Sequence, residues 1–327
     1  MRSRVIGTGS YVPDRVVTNA ELARGLGVSD AWIVERTGIR ERRYAAPGQT
    51  TSDMALGASR CALESAGVHA EALDLIVLAT VTGDAPTPST ATFLQAKLGA
   101  KRAFAFDISA ACTGALYALS VADQYLRSGG ARLALVVGAE LVSRVLDERD
   151  RNTAIIFGDA AGALVLEAVE DRKAGLLSTH LFSDGRRAEI LWVPAPGSRH
   201  PASPEVLARR LDRLQMNGRE VFKSAVRHLV AAAEQALAAN GVAREQVRHV
   251  VAHQANLRIL EAVAQRLRIP MERVFINLDR YGNTSAAAIP MGLDELWREG
   301  RLAPGDLVLA LAVGAGLTWG SALLRWH

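Results

Sequence analysis

Residues 103–126, AFAFDISAACTGALYALSVADQYL, join the pattern of a buried strand to that of a buried helix. Apolar residues alternate at Phe104, Phe106 and Ile108, as they do in a short buried strand. Small residues follow up to Cys112, and apolar residues then recur at helical spacing. The segment therefore predicts a thiol at the turn where a strand passes into a helix.

The predicted helix gives Cys112 a chemical setting. Free N–H groups and the positive end of the helix dipole favour a thiolate at this position. Cys112 is therefore a candidate nucleophile. A buried structural thiol is the alternative, because cysteine is among the commonest core residues. The segment by itself leaves both interpretations open.

The composition indicates a globular protein with a large core. Of its 327 residues, 49% are hydrophobic and 22% are charged, which excludes a disordered chain. The chain is long enough for two ordinary domains or for one large double domain.

Features that the sequence lacks exclude several classes of protein. Two cysteines, Cys61 and Cys112, provide neither a disulfide framework nor a zinc ligand set, which fits a reducing cytoplasm. The first residues reach a turn too early for a signal peptide, and the apolar runs are too short to span a bilayer. The net charge of +4 comes without a block of Lys and Arg. We therefore expect a cytoplasmic protein that binds neither membranes nor nucleic acids.

The order of strands and helices occurs twice. LDLIVLAT, a helix, FAFDIS, a helix and RLALVVGAE in the first half correspond to RHVVAHQ, a helix, VFINL, a helix and DLVLALAVGAG in the second. This alternation predicts an α/β fold whose parallel strands are covered by helices on both faces. We expect one half at residues 1–172, with Cys112, and the other at residues 173–327, with His253 and Asn283.

Polar residues follow strands where an α/β fold binds its ligands. His253 ends an apolar strand, and Asn283 lies in a loop before a small-residue helix. Taken singly, His253 fits a hydrogen-bonded core residue and Asn283 fits a cap or turn. Together with Cys112 they form a nucleophile with two neutral hydrogen-bond donors, which suits a thioester whose oxygen becomes negative. The turn at residues 314–316 would add a backbone N–H, or is simply a tight turn.

Six segments together resemble β-ketoacyl-ACP synthase III of the thiolase superfamily: AACTGALYAL, HQANLRI, YGNTSAAAIP, GAGLTWGSAL, SDAWIVERTGIRER and IIFGDAAGA. The resemblance extends from Val5 to Trp326. It implies a thiolase-like, five-layered αβαβα fold and a homodimer. It also implies a decarboxylating Claisen condensation that initiates fatty acid synthesis and needs no metal or redox cofactor.

The resemblance assigns a role to each residue of the set. Cys112 would take an acyl group from acyl-CoA, with the oxyanion held by the N–H groups of Cys112 and Ala315. Malonyl-ACP would then replace CoA. His253 and Asn283 would bind its thioester carbonyl while carbon dioxide leaves, and the resulting carbanion would attack the acyl group.

Two further groups match the substrate-binding positions of the family. The first corresponds to the CoA site: Trp32, Arg36, Arg151, Met216, Gly218, Phe222 and Asn256. The second corresponds to the basic surface that receives the acidic acyl carrier protein: Lys223, Arg258 and Arg266. Without the resemblance, Trp32 would be a core aromatic and the basic residues solvated surface charge.

Two departures from the family bear on specificity. Thr87 stands where well-known bacterial members carry a bulky Phe that crosses the dimer interface and closes the acyl pocket. A smaller residue there predicts a primer that is longer, branched or more functionalised than acetyl. Ala315 replaces the middle glycine of a GGG turn, which requires a backbone conformation that alanine tolerates.

Other activities of the same fold stay open. The chain would also suit a specialised-metabolism condensing enzyme with a bulkier starter unit, or an acyltransferase that passes the acyl group to an alcohol or amine. Asn283 favours condensation, because a carboxylate there would better serve as a base for an acceptor hydroxyl. A non-catalytic acyl-CoA-binding subunit is disfavoured by the intact set of Cys112, His253 and Asn283.

Overall fold

The computed structural model describes residues 1–171 and 175–327. The strands of this part are β1 (Arg2–Tyr11), β2 (Arg15–Thr18), β3 (Glu41–Tyr44), β4 (Leu75–Ala79), β5 (Phe104–Ile108), β6 (Leu133–Glu140), β7 (Ala160–Val169), β8 (Gly175–Ser183), β9 (Leu191–Trp192), β10 (Gln215–Met216), β11 (Val247–Ala252), β12 (Leu307–Gly314) and β13 (Thr318–Arg325). Its α-helices are α1 (Asn19–Leu26), α2 (Asp30–Thr37), α3 (Thr51–Ala66), α4 (Thr90–Leu98), α5 (Gly114–Arg127), α6 (Pro204–Ala208), α7 (Gly218–Asn240), α8 (Leu257–Leu267), α9 (Leu278–Tyr281) and α10 (Ala288–Arg298).

Two main sheets have the same strand order. The first is β1-β7-β6-β4-β5, and the second, taken from the corresponding end, is β8-β13-β12-β11. In the first sheet β4 is parallel to β5 and β6, and β7 is antiparallel to β6 and β1. In the second, β11 is parallel to β12, and β13 is antiparallel to β12 and β8. The predicted boundary between residues 172 and 173 lies outside the described residues and stays a prediction.

The structure differs from the sequence prediction at VFINL, which is expected to form a strand. Within the described residues it contributes one bridge, between Val250 and Val274. The reason is the Gln254 side chain, whose Oε1 accepts from the N–H groups of Asn277 and Leu278 while its Nε2 donates to Phe275 O. These bonds satisfy the backbone without a strand ladder. The chain can therefore turn into α9.

The secondary structure stacks in five layers. Helices α5 and α10 lie between the sheets, where their apolar side chains join those of both inner faces in one core. Helices α3 and α4 cover the outer face of the first sheet, and α7 and α8 cover that of the second. This arrangement confirms the predicted five-layered αβαβα fold. No helix of the described residues is long and apolar enough to cross a membrane.

Small residues bring the central elements close together. A Cβ at Gly138 of β6 would lie 2.2 Å from the carbonyl oxygen of Ala286, so glycine is required there. Each central helix is preceded by a 3₁₀ turn, Ala111–Thr113 before α5 and Ser285–Ala287 before α10. Both turns therefore meet at the centre of the molecule, above the ends of β4 and β6.

Candidate active site

Cys112 lies in the 3₁₀ turn Ala111–Thr113, directly between β5 and α5. Ala111 before it has a left-handed φ of 46°, which is costly for a residue with a Cβ. The turn is also crowded from the other half of the molecule, because a Cβ at Gly314 would lie 2.9 Å from the Cys112 nitrogen. The thiol is consequently held with 6% of the residue exposed.

The ionisation of Cys112 differs from the expectation of a stabilised thiolate. The pKa of Cys112 is raised to about 12, mainly by burial and also by the nearby charge of Glu140, while the Ser285 side chain acts to lower it. Removal from water disfavours the charged form more than the helix N-terminus favours it. The resting group is a neutral thiol.

His253 follows β11 and is almost fully buried, with its N–H donating to Leu311 O at 2.7 Å. Burial lowers the pKa of His253 to about 4, and a hydrogen bond to the Ser285 backbone acts in the opposite direction. Among the described residues its Nδ1 has no hydrogen-bond partner. With a pKa of about 4 the imidazole is neutral near pH 7, and the residue lines a cavity together with Cys112.

Asn283 is fixed by its backbone and by its own side chain. Its N–H donates to Ile156 O at 2.8 Å, and its carbonyl oxygen accepts from the N–H of Gly158 at 3.0 Å. Its Oδ1 accepts from the N–H of Ser285 at 2.8 Å. Because that bond fixes the orientation of the amide, the Nδ2 group remains as the donor of this side chain.

One cavity of about 330 Å³ is lined by Cys112, His253 and Asn283 together. The same cavity is lined by all the residues that the resemblance assigns to CoA, namely Trp32, Arg36, Arg151, Met216, Gly218, Phe222 and Asn256. They come from α2, the loop after β6, β10, α7 and the start of α8. The structure therefore brings ten widely separated residues around one space.

The entrance of this first cavity combines an indole with positive charge. The guanidinium of Arg36 lies 4.4 Å from the centre of the Trp32 ring, and that of Arg151 lies 5.8 Å from it. Asn256 donates from Nδ2 to Arg36 O at 2.9 Å, which ties α2 to the start of α8. A flat π-system flanked by two cations suits a ligand with an aromatic base and phosphates.

A second cavity, of about 420 Å³, lies on the other side of the thiol. Cys112, Phe157 and Leu191 line both cavities. The rest of the second wall is largely apolar and includes Val81, Val142, Val145, Trp192, Val193, Ala195, Pro196 and Leu214. Ala315 lines the second cavity together with Cys112. The backbone φ of Ala315 is not positive. The turn therefore has a conformation that alanine adopts without strain.

The remaining assigned residues lie outside these two cavities. Thr87 is exposed on the loop before α4, and Lys223, Arg258 and Arg266 are exposed on α7 and α8. Arg258 contacts α2, where its Nη2 is 3.5 Å from Glu35 Oε1. In the described residues, the basic side chains are spread over two helices rather than gathered at the thiol.

The sequence patterns do not single out two further residues of the site. Glu140 ends β6 and is fully buried, and its carboxylate accepts from Thr82 Oγ1 at 2.6 Å and from Ser285 Oγ at 3.1 Å. Burial raises the pKa of Glu140 to about 7, against the effect of its hydrogen bonds. A carboxylate that ends an otherwise apolar strand was the available signal. For Ser285, two positions after Asn283, the sequence contains none.

The comparisons with known proteins agree over the full chain. Residues 106–185 match the family described as 3-oxoacyl-[acyl-carrier-protein (ACP)] synthase III, and residues 237–326 match its C-terminal part. The β-ketoacyl-[acyl-carrier-protein] synthase III of Roseiflexus sp. (strain RS-1) is 50% identical over 320 residues, which are 98% of this chain and 97% of that protein. The chain belongs to the β-ketoacyl-ACP synthase III family. It is therefore a condensing enzyme of the acyltransferase type.

Solved structures of β-ketoacyl-ACP synthase III proteins have the same fold. The crystal structure of 3-oxoacyl-[acyl-carrier-protein] synthase III from Aquifex aeolicus VF5 is 46% identical, covers 99% of this chain and 100% of its own, and has a TM-score of 0.91. The priming β-ketosynthase from the R1128 polyketide biosynthetic pathway is 37% identical, covers 99% and 96%, and has a TM-score of 0.92. Within the described residues of this family member, no cluster of His, Cys, Asp and Glu could hold a metal ion.

Proposed function

We propose that the protein catalyses a decarboxylating Claisen condensation of an acyl-CoA primer with malonyl-ACP and so initiates fatty acid synthesis. The observation that carries this proposal is the position of Cys112 between two cavities. One cavity has the indole and arginines that suit CoA, and the other has the apolar wall that suits an acyl chain. Membership of the family supports the same reaction.

Loading of the primer is the first half of the proposed reaction. The acyl chain occupies the second cavity, while CoA extends through the first cavity towards Trp32, Arg36 and Arg151. Sγ of Cys112 attacks the thioester carbonyl, and the N–H groups of Cys112 and Ala315 stabilise its oxyanion. The Sγ proton is lost as the new bond forms, the bond to CoA breaks, the CoA thiolate takes up a proton, and the acyl group remains on Cys112.

Condensation is the second half. The malonyl thioester enters the first cavity, where neutral His253 and Nδ2 of Asn283 donate to its carbonyl oxygen. Carbon dioxide leaves, and the electron pair of the broken C–C bond forms an enolate that these donors stabilise. The carbanion attacks the acyl carbonyl, the bond to Sγ breaks, and the Cys112 thiolate takes up a proton.

The proposed chemistry needs substrates but no cofactor. Acyl-CoA supplies the electrophile, and loss of carbon dioxide generates the nucleophile, so neither a metal nor a redox group takes part. Lys223, Arg258 and Arg266 would attract the acidic carrier protein by long-range electrostatics, which salt weakens. We also place the protein in the cytoplasm, where CoA and malonyl-ACP are made.

A homodimer is supported by the free edge of the first sheet. Strand β5 ends that sheet, and Phe104 on it is 41% exposed. The Phe104 ring centre lies 6.4 Å from that of Phe106 and 5.2 Å from that of Tyr125, which forms an aromatic cluster at the edge. An exposed apolar edge strand favours pairing with a second copy. In such a dimer Thr87 of one subunit would adjoin the acyl cavity of the other, as the family comparison implies.

A specialised-metabolism condensing enzyme with a bulkier starter unit is the second candidate. It is favoured by Thr87 in place of a bulky Phe and by the acyl cavity of about 420 Å³. The similarity to the priming β-ketosynthase of a polyketide pathway supports the same alternative. Both candidates use the mechanism above and differ in the primer. We retain the halves at 1–172 and 173–327 as the proposed domain division.

Intact-protein mass spectrometry tests the proposal. The wild type, Cys112→Ala and Cys61→Ala are incubated with acetyl-, isobutyryl- and longer acyl-CoAs, and malonyl-ACP is then added. We expect an acyl adduct on the wild type and on Cys61→Ala but none on Cys112→Ala, with loss of roughly 10³-fold or more in turnover. The adduct should disappear as β-ketoacyl-ACP forms.

The other outcomes separate the alternatives. An adduct that persists until an alcohol or amine is added would identify an acyltransferase. An adduct from a bulky or aryl CoA, with poor loading of acetyl, would favour the specialised-metabolism enzyme. Absence of any adduct from every donor would make Cys112 a structural thiol and the proposed function wrong.

A further inference from the structure

Glu140 is a buried carboxylate beside the reacting thiol that the mechanism above does not use. It belongs to the last position of β6, at the centre of the molecule, and none of its side chain reaches solvent. Its hydrogen-bond partners are Thr80, Val81 and Thr82 after β4, and Ser285 before α10. A buried charge is retained at this cost only where its surroundings stabilise it.

Ser285 connects this carboxylate to the thiol. Its Oγ donates to Glu140 Oε1 at 3.1 Å, and Ser285 and Cys112 together line the second cavity. Ser285 is held in place by its N–H on Asn283 Oδ1 and has a left-handed φ of 52°. A residue with a Cβ adopts that conformation only where the surrounding contacts impose it. Because the Ser285 hydroxyl donates to Glu140, its oxygen is left to accept a proton from Cys112.

Charge determines where the thiol proton can go. If Cys112 lost its proton to solvent, a thiolate and the Glu140 carboxylate would both be charged in a buried site, and the charge of Glu140 raises the pKa of Cys112 accordingly. If the proton passes to Glu140 instead, the pair keeps one negative charge throughout. Transfer within the pair is the less costly route.

We propose that Glu140, acting through the Ser285 hydroxyl, is the positioning residue that accepts the Cys112 proton during acyl loading. The proposal rests on the proposed acyl-Cys112 chemistry. As the bond from Sγ to the acyl carbon forms, the Sγ proton passes to Ser285 Oγ, and the Ser285 hydroxyl proton passes to Oε1 of Glu140. The bond to CoA breaks, and the CoA thiolate takes a proton from solvent. When condensation expels the Cys112 thiolate, the two transfers run in reverse.

The pH range over which the rate of acyl loading should change depends on the titratable groups that face Glu140. The pKa of Glu140 is raised to about 7, so its basic form increases through neutral pH. Cys112 faces it from the turn before α5, and its pKa is raised to about 12. His253, on the other side of Ser285, has a pKa lowered to about 4 and stays neutral in this range. The contacts after β4 come from uncharged residues. Loading should therefore speed up as the pH rises towards 7 and level off above it.

Rapid-quench loading kinetics, read as acyl adduct by mass spectrometry across this pH range, test the relay. The donors are acetyl-CoA and isobutyryl-CoA. In the wild type we expect the rising limb with its midpoint near pH 7. Glu140→Gln and Ser285→Ala should each load roughly 10²-fold more slowly at high pH and lose the limb, since general-base effects have this size. Asp294→Asn, another buried carboxylate, is the matched control and should keep the wild-type profile.

The outcomes are distinguishable. A wild-type limb that survives in both Glu140→Gln and Ser285→Ala would overturn the relay while leaving acyl-Cys112 intact. A uniform slowing at every pH would mean that Glu140 only supports the fold, and it would also overturn the relay. A wild type that forms no adduct at any pH would overturn the proposed function itself. Ser285→Ala keeps the Glu140 carboxylate. If Glu140→Gln does not fold, the pH profile of Ser285→Ala therefore tests the relay by itself.

Discussion

The two central helices begin in the same way but carry different chemistry. Before α5, Ala111 has a φ of 46°, and before α10, Ser285 has a φ of 52°. Each of them begins a 3₁₀ turn, and the second residue of the turn is Cys112 in one half and Ala286 in the other. The strained turn is thus a property of the duplicated fold. Reactivity depends on the side chain that each half places there and on what surrounds it.

The strand ends differ in the same manner. By the matching sheet order, β6 and β12 correspond, and they end at Glu140 and Gly314. Glu140 supplies a carboxylate, whereas any side chain at Gly314 would collide with the Cys112 nitrogen. After the corresponding strands β4 and β11 come Thr80 and His253. One half therefore supplies the nucleophile and a buried acid, and the other supplies neutral donors and room.

The largest expected effect on activity comes from removing a neutral hydrogen-bond donor of the second half. Asn283→Asp keeps an oxygen for the Ser285 N–H but replaces the Nδ2 donor with a negative charge. We expect condensation to fall by roughly 10²–10³-fold, as for loss of an oxyanion donor, with loading of Cys112 much less affected. Single-turnover assays of the two half-reactions measure this. Asn240→Asp, at the end of α7, is the matched control. Equal loss in both half-reactions would contradict separate roles for the two halves.

Glu140 makes the acidic half sensitive to pH in its stability as well. Its pKa is raised from 4.5 to about 7 on folding, so the folded protein binds more protons than the unfolded chain between these values. The stabilisation is complete below pH 4.5 and is lost as the pH rises through 7. Relative to Glu140→Gln, the free energy of unfolding of the wild type should fall by about 3 kcal/mol across this range. Denaturant titrations of both proteins near pH 5 and pH 8 measure the difference, which would be constant if Glu140 did not titrate.

Substitution by glycine should have different effects on stability at the two alanines of the active-site turns, Ala315 and Ala111. The φ of Ala315 is not positive, so Ala315→Gly should cost about 0.4–1 kcal/mol through the unfolded chain and change turnover little. Ala111 has a left-handed φ, so Ala111→Gly should be neutral or stabilising. Thermal unfolding of both variants is the measurement. The same sign for both would show that backbone strain does not distinguish the two turns.

Local periodicity was sufficient for much of the fold. Strand and helix patterns place Cys112 between β5 and α5, and the repeated order of elements predicts two corresponding sheets around central helices. The pattern failed at VFINL, because the Gln254 side chain binds the backbone of Asn277 and Leu278 in place of a neighbouring strand. A side-chain contact from outside the segment decided the conformation there.

The sequence by itself determined the family and the candidates for the nucleophile and the two donors, because these depend on residue types in motifs of fixed spacing. Tertiary structure alone decided the state of the site. The helix N-terminus suggests a thiolate, but packing between two sheets removes water from Cys112 and leaves a neutral thiol. Glu140 and Ser285 are 145 residues apart in the chain, so no local pattern could place them beside it. Burial and long-range contact set pKa values, and both exist only once the chain has folded.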